Sequence, residues 1–165
     1  LINYLHKIGW FIGLVLLQVL ILNNVHIAGY ATPFLYIYLI LKFESDTPRN
    51  ALMLWAFFLG LAVDVFSDTP GMNAAATVLL AFLRPLSAAV RACDTLDTLV
   101  PAIRTMGILP FLKYLVVSVL IHHGLLLTLE FFSFAHIGTL LLRIAASTLL
   151  TVTCIMAVEG IRKKG

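Results

Sequence analysis

Gly60-Leu-Ala-Val-Asp64-Val-Phe-Ser-Asp-Thr-Pro70-Gly71-Met-Asn-Ala74 decides how this chain is read. It joins one long apolar segment, residues 51–66, to another, residues 72–90. An acid, Asp64, falls among residues that belong in lipid or between packed helices. The connection Ser67-Asp-Thr-Pro70-Gly71 is too short for a domain and too specific for a linker. Pro70 cannot continue a helix interior and suits the first turn of the next helix. Gly71 tolerates backbone angles that other residues avoid. The stretch predicts a tight helical hairpin with a carboxylate near its closed end.

The rest of the chain has the same character. Of 165 residues, 61% are hydrophobic and only 12% charged, with a mean hydropathy of +1.03. A soluble domain is about half apolar and about a quarter charged. The apolar runs are long and do not alternate, which predicts membrane-spanning helices rather than a β-barrel. A spanning helix needs ~20 mostly apolar residues, and six candidates follow: about 5–22, 28–43, 50–67, 72–90, 108–131 and 137–160. They form one all-α transmembrane domain over residues 1–165. The second span is the shortest. Its apolar run, residues 32–43, must borrow from residues 28–30 or thin the bilayer locally. The first span follows Lys7 as a signal peptide would, but no small-x-small cleavage site follows it, so it is read as an uncleaved helix.

Charge placement sets the expected topology. The connections at residues 23–31, 67–71 and 132–136 contain no lysine or arginine. The opposite side receives Lys7, Lys42, Arg49, Arg91, Arg104, Lys113, Arg162, Lys163 and Lys164. The positive-inside rule then puts both termini in the cytoplasm. The longest polar connection, residues 91–107, lies on that side and is read as a connector with a short surface helix. Cys93 and Cys154 are far apart in sequence and suggest neither a disulfide framework nor a metal site.

Catalysis would require a nucleophile with a base, a metal cluster or a phosphate loop, and the sequence offers no such motif. No enzyme activity, cofactor, metal or nucleic-acid partner is expected. The ionisable residues inside the spans are the candidates, because a charge at bilayer depth is unfavourable unless it is paired or solvated. Asp64 and Arg143 lie at matching depths and are candidates to pair, each reaching the interface separately being the other option. Arg84, beside Pro85, is placed to snorkel inward. His122 and His123 diverge by about 100° on a helix, which favours interhelical hydrogen bonding over a shared metal or a proton relay. Gly60, Pro70 and Gly71 complete the candidate set as residues that shape the hairpin.

The stretch from Gly60 to Pro85 resembles the rod shape-determining MreD family of bacteria, in its Bacteroidetes branch. The matching features are Leu59-Gly60-Leu-Ala-Val-Asp64-Val-Phe-Ser, Thr69-Pro70-Gly71-Met72 and Phe82-Leu83-Arg84-Pro85. Gln18, Asn23, and Pro33 with Tyr36 also look like that family, as do the six spans, the chain length and the basic tail. Met72-Asn73 stands where some members carry a histidine after the glycine. The resemblance implies a non-enzymatic scaffold of the cell-elongation machinery in the bacterial inner membrane. It would bind MreC directly, in a complex with the actin-like MreB, the glycosyltransferase RodA and its penicillin-binding transpeptidase. Such a scaffold would link cytoplasmic filaments to periplasmic peptidoglycan synthesis. Membrane lipid is its other partner, and a homodimer is an open option. The family's fold is similar to the substrate-binding subunits of energy-coupling-factor vitamin transporters. This supplies the alternative: a solute-binding subunit with a ligand pocket near Asp64, Glu130 and Arg143.

Overall fold

The computed structural model describes residues 2–24, 31–89, 100–131 and 137–164. Among them every long element is helical: α1 (Ile2–Leu20), α2 (Tyr38–Leu41), α3 (Arg49–Ser67), α4 (Met72–Ala89), α5 (Ile103–Met106), α6 (Ile108–Phe131) and α7 (Ile137–Lys164). Four helical stretches are long and apolar enough to cross a membrane: Leu5–Asn24, Arg49–Ser67, Ile108–Phe131 and Ile137–Ile161. Met72–Arg84 in α4 is a shorter apolar stretch. Side chains such as Leu20, Val65, Leu109 and Leu149 point outward and exposed, as expected where the surrounding solvent is lipid. The described part of the connection 91–107 holds only the short α5; residues 90–99, including Cys93, lie outside the described residues.

α3 and α4 pack as an antiparallel hairpin. α4 then packs on α6, α6 on α7, and α1 on α3. The hairpin closes tightly because of Gly60. A Cβ built there would lie 2.5 Å from Ala74 Cα and 2.6 Å from Ala74 N, with Thr77 Oγ1 nearer still. Only a residue without a side chain lets α4 approach α3 so closely.

The main departure from expectation is the second span. Residues 32–34 are non-helical, Leu35–Ile37 form a 3-10 turn, and only Tyr38–Leu41 form an α-helical turn. The segment runs through the interior of the bundle. Tyr36, Ile37 and Ile40 are fully buried, and Tyr38, Leu39, Leu41 and Phe43 nearly so. A run apolar on all sides is buried on all sides, which explains the composition without requiring a regular helix.

Hydrogen bonds to α7 measure how far this segment is stretched. The Thr32 amide donates to Ser147 Oγ (3.2 Å), the Phe34 amide to Thr151 Oγ1 (3.1 Å), and the Tyr38 hydroxyl to Glu159 (2.6 Å). From Ser147 to Thr151, α7 rises about 6 Å at 1.5 Å per residue. Residues 32–34 cover that distance in two steps of about 3 Å each, near the rise of an extended chain. The short apolar run enters the bundle unwound and takes up helical turns from Leu35.

Candidate functional site

Unwound backbone inside an apolar bundle leaves donors and acceptors that must be satisfied internally. Gln18 of α1 meets part of that need. Its amide nitrogen donates to the Pro33 carbonyl (3.0 Å) and its amide oxygen accepts from the Leu35 amide (2.9 Å). The side chain thus imitates a neighbouring strand. Pro33 has no N–H to satisfy. Gln18 also donates to Asn23 (2.9 Å), which donates to Ser67 at the end of α3 (2.6 Å).

Asp64 is 3% exposed and caps the helix that follows it. Its Oδ1 accepts from Thr69 Oγ1 (2.6 Å), the Asn73 amide (3.0 Å) and Asn73 Nδ2 (3.0 Å), and its Oδ2 accepts from the Ala74 amide (2.8 Å). The first turn of a helix has unsatisfied amides and a partial positive charge, and a carboxylate suits both. Asp68 takes a left-handed conformation (φ 54°), which aspartate tolerates, and Gly71 another (φ 78°). The Gly71 amide reaches back over Pro70 to the Thr69 carbonyl at 2.8 Å, a three-residue turn. Pro70 is therefore two residues ahead of α4 rather than in its first turn. The four hydrogen bonds described for Asp64 come from its own hairpin and leave it no need of Arg143.

The clamp extends inward. Asn73 turns its NH2 toward Asp64 and Thr69, so its carbonyl oxygen accepts from the Tyr36 hydroxyl at 2.9 Å. That hydroxyl has spent its one proton, so at 2.8 Å it accepts from His122 Nε2–H. His122 Nδ1 then carries no proton, and no partner for it stands among the described residues. His123 has the other tautomer. Its Nδ1 meets the Val119 carbonyl (2.9 Å), which can only accept, so Nε2 accepts from Thr151 Oγ1 (3.2 Å). Both rings pack against Phe34, with centroids 6.1 and 5.1 Å away. Contrary to the divergence expected from their spacing, the two rings lie together, centroids 5.4 Å apart, and both face the unwound segment, with hydrogen bonds to different partners. Among the described residues no group of three His, Cys, Asp or Glu is placed to hold a metal.

At the other end of the segment, Arg84 is 5% exposed and held inside the protein instead of snorkelling to the inner interface. It donates to the carbonyls of Phe43 and Glu44, the latter at 3.2 Å, and through Nε to the Tyr114 hydroxyl (3.3 Å). Tyr114 donates on to the Leu41 carbonyl (3.4 Å). The end of α2, where carbonyls lack helical partners, is capped by a cation. Lys42 pairs with Glu159 at 2.9 Å and also reaches the Pro101 carbonyl (3.1 Å).

Arg143 lies at the Asp64 end, 4.9 Å from the Phe131 ring centre. With Glu130 it lines a cavity of about 380 Å³, whose walls include Asn24, Thr32, Phe66, Asn73 and Ser147. Residues the sequence reading had not singled out as functional, Ser147, Thr151, Glu159 and Tyr38, prove to organise the interior. One signal was available: Ser147, Thr151 and Glu159 fall on one face of α7 at four-residue multiples, a polar stripe in an apolar helix.

Fold and site define a helical, multi-pass membrane protein built around a buried, unwound segment held by side chains from α1, α6 and α7. No protein-family model, curated protein or solved structure matches the chain.

Proposed function

We propose that this chain is a non-enzymatic membrane scaffold of the MreD type. It would bind MreC and couple cytoplasmic MreB filaments to RodA and its transpeptidase, in the bacterial inner membrane with both termini in the cytoplasm. One observation carries the reading. The residues that resemble that family are scattered in sequence yet meet in space: Gln18 with Asn23 and Pro33, and Tyr36 through Asn73 with Asp64. The two hydrogen-bonded clusters meet on one short segment, residues 33–36, and Asn73, the link to Asp64, is the position at which this chain departs from that family. The described polar side chains of these clusters are hydrogen-bonded to one another and to nearby backbone. Recognition of partners therefore falls to the outward apolar faces of the helices, where a partner's membrane helix can pack.

The test is recovery of partners from native membranes. The tagged chain, extracted in mild detergent, should bring MreC and the wall-synthesis enzymes with it. Recovery of paired ATPases with a transmembrane coupling subunit would replace the scaffold reading with that of a solute-binding transport subunit.

A further inference from the structure

We propose that the cavity at the Asp64 end of the bundle is a water-filled vestibule, which carries solvent below headgroup level to Ser147, where the unwound segment enters. The inference is independent of the scaffold reading. The lining of the cavity runs from exposed polar groups to buried ones. Its rim holds Asn24, Ser67 and Glu130, which stand at the ends of the first apolar stretch, of α3 and of α6. Asn24 and Glu130 are exposed and Ser67 is half-buried. Its floor holds Asn73 and Ser147, both buried, Ser147 being 1% exposed. At about 380 Å³ the cavity has room for roughly ten waters at about 30 Å³ each.

An apolar cavity stays dry, whereas a polar one holds water that finds about two to four partners. Such partners line this cavity. Ser147 Oγ accepts from the Thr32 amide at 3.2 Å, and its own proton meets no acceptor among the described residues. The Thr32 hydroxyl and the Glu130 carboxylate also have no hydrogen-bond partner among them. Water donates and accepts, so it serves hydroxyls and a carboxylate alike. Depth makes the water necessary. α7 has 28 residues and is about 42 Å long, about 12 Å more than the ~30 Å hydrocarbon layer. Ser147 lies ten residues, about 15 Å, from its first residue. Even with all the excess length projecting at this end, Ser147 lies within the hydrocarbon layer. Polar groups at that depth are stable where they line a wet cleft and not where they face lipid.

The experiment places the full chain in lipid nanodiscs, with Cys93 and Cys154 replaced by alanine and one cysteine introduced at a time. The probe is trimethylammonioethyl methanethiosulfonate, a charged thiol reagent that does not enter hydrocarbon. It reacts with the thiolate, which water stabilises and apolar surroundings suppress. Ser147→Cys should react at least about tenfold faster than Leu149→Cys, exposed but facing outward, and than Thr151→Cys, fully buried one turn further on. The unsubstituted chain gives a second readout. Under hydroxyl radicals generated from water by X-rays, Phe34, buried on the cavity wall, should be modified several-fold faster than Phe111, buried and outside the lining. Comparable rates at the three cysteines overturn the vestibule: if all are slow, solvent does not reach Ser147, and if all are fast, it reaches the whole bundle. Equal modification of Phe34 and Phe111 overturns it as well.

Discussion

Asp64 and Ala74 are ten residues apart and joined across the hairpin, the carboxylate Oδ2 accepting the Ala74 amide at 2.8 Å. The carboxylate near the end of α3 thereby serves as the N-terminal cap of α4. The same carboxylate orients Asn73, and through it Tyr36 and His122.

Replacing Asp64 by asparagine exchanges one accepting oxygen for an NH2 group that must face an existing donor. Charge-assisted hydrogen bonds contribute about 1.5–3 kcal/mol each, and a lost helix cap about 1 kcal/mol. Asp64→Asn should insert in the membrane yet lose about 2 kcal/mol of stability in an SDS titration from mixed micelles. On the scaffold reading it should also fail to restore rod shape in cells that lack the native protein. Normal rods with normal partner recovery would remove Asp64 from the functional residues.

Gly60 gives a sharper steric test. A methyl group there meets the backbone of Ala74, which cannot rotate away, and the Thr77 hydroxyl. Thr77 is itself held by the Ala56 and Asn73 carbonyls at 2.9 and 2.7 Å. Gly60→Ala should destabilise by about 1–3 kcal/mol through overpacking. Gly124→Ala, with nothing within 4 Å of a built Cβ, should be neutral or slightly stabilising, since alanine favours a helix interior by about 1 kcal/mol over glycine. Equal losses in the two variants, in the same titration, would refute the close-approach role.

Lys42 and Glu159 form a pair with 15% and 5% side-chain exposure. Removing one partner of such a pair leaves the other as a buried, uncompensated charge, an effect of about 3–5 kcal/mol when burial is deep. Glu159→Leu and Lys42→Met should each destabilise strongly. The double variant should recover much of the loss, and the coupling energy of the cycle should be about 1 kcal/mol or more. Additive losses would mean that the two residues act through Tyr38 and Pro101 separately.

Much of the fold was legible in sequence because hydropathy reads apolar length directly. The expected spans at 50–67, 72–90, 108–131 and 137–160 coincide closely with α3, α4, α6 and α7. The second span was not legible in that way. A hydropathy window detects that residues 32–43 avoid water but not whether their backbone hydrogen-bonds to itself or to side chains elsewhere. The clues were physical ones: a run too short for a helix to cross, Pro33 within it, and a polar stripe on α7 with no partner in its own helix. Asp64 stood out as a misplaced charge, and depth matching left open a pair with Arg143 or a separate reach to the interface. The carboxylate instead found its donors five to ten residues ahead, in the turn it helps to form.

The unwound segment makes the most specific prediction. Thr151 stands between two partners, accepting from the Phe34 amide at 3.1 Å and donating to His123 Nε2 at 3.2 Å. Valine has the same shape and neither capability. Thr151→Val should therefore leave a buried amide and a buried imidazole nitrogen unsatisfied, each worth about 1–3 kcal/mol. Because residues 32–34 have no helical hydrogen bonds to fall back on, the effect should be local. Hydrogen exchange at the Phe34 and Leu35 amides should accelerate well before exchange in the middle of α6. Thr151→Ser, which keeps the hydroxyl, should restore most of the protection. Thr153→Val is the control, since that exposed hydroxyl donates only to Leu149 in its own helix, at 2.7 Å. If Thr151→Val and Thr153→Val exchange alike at Phe34, the segment is held by its apolar packing, and the side-chain hydrogen bonds merely accompany it.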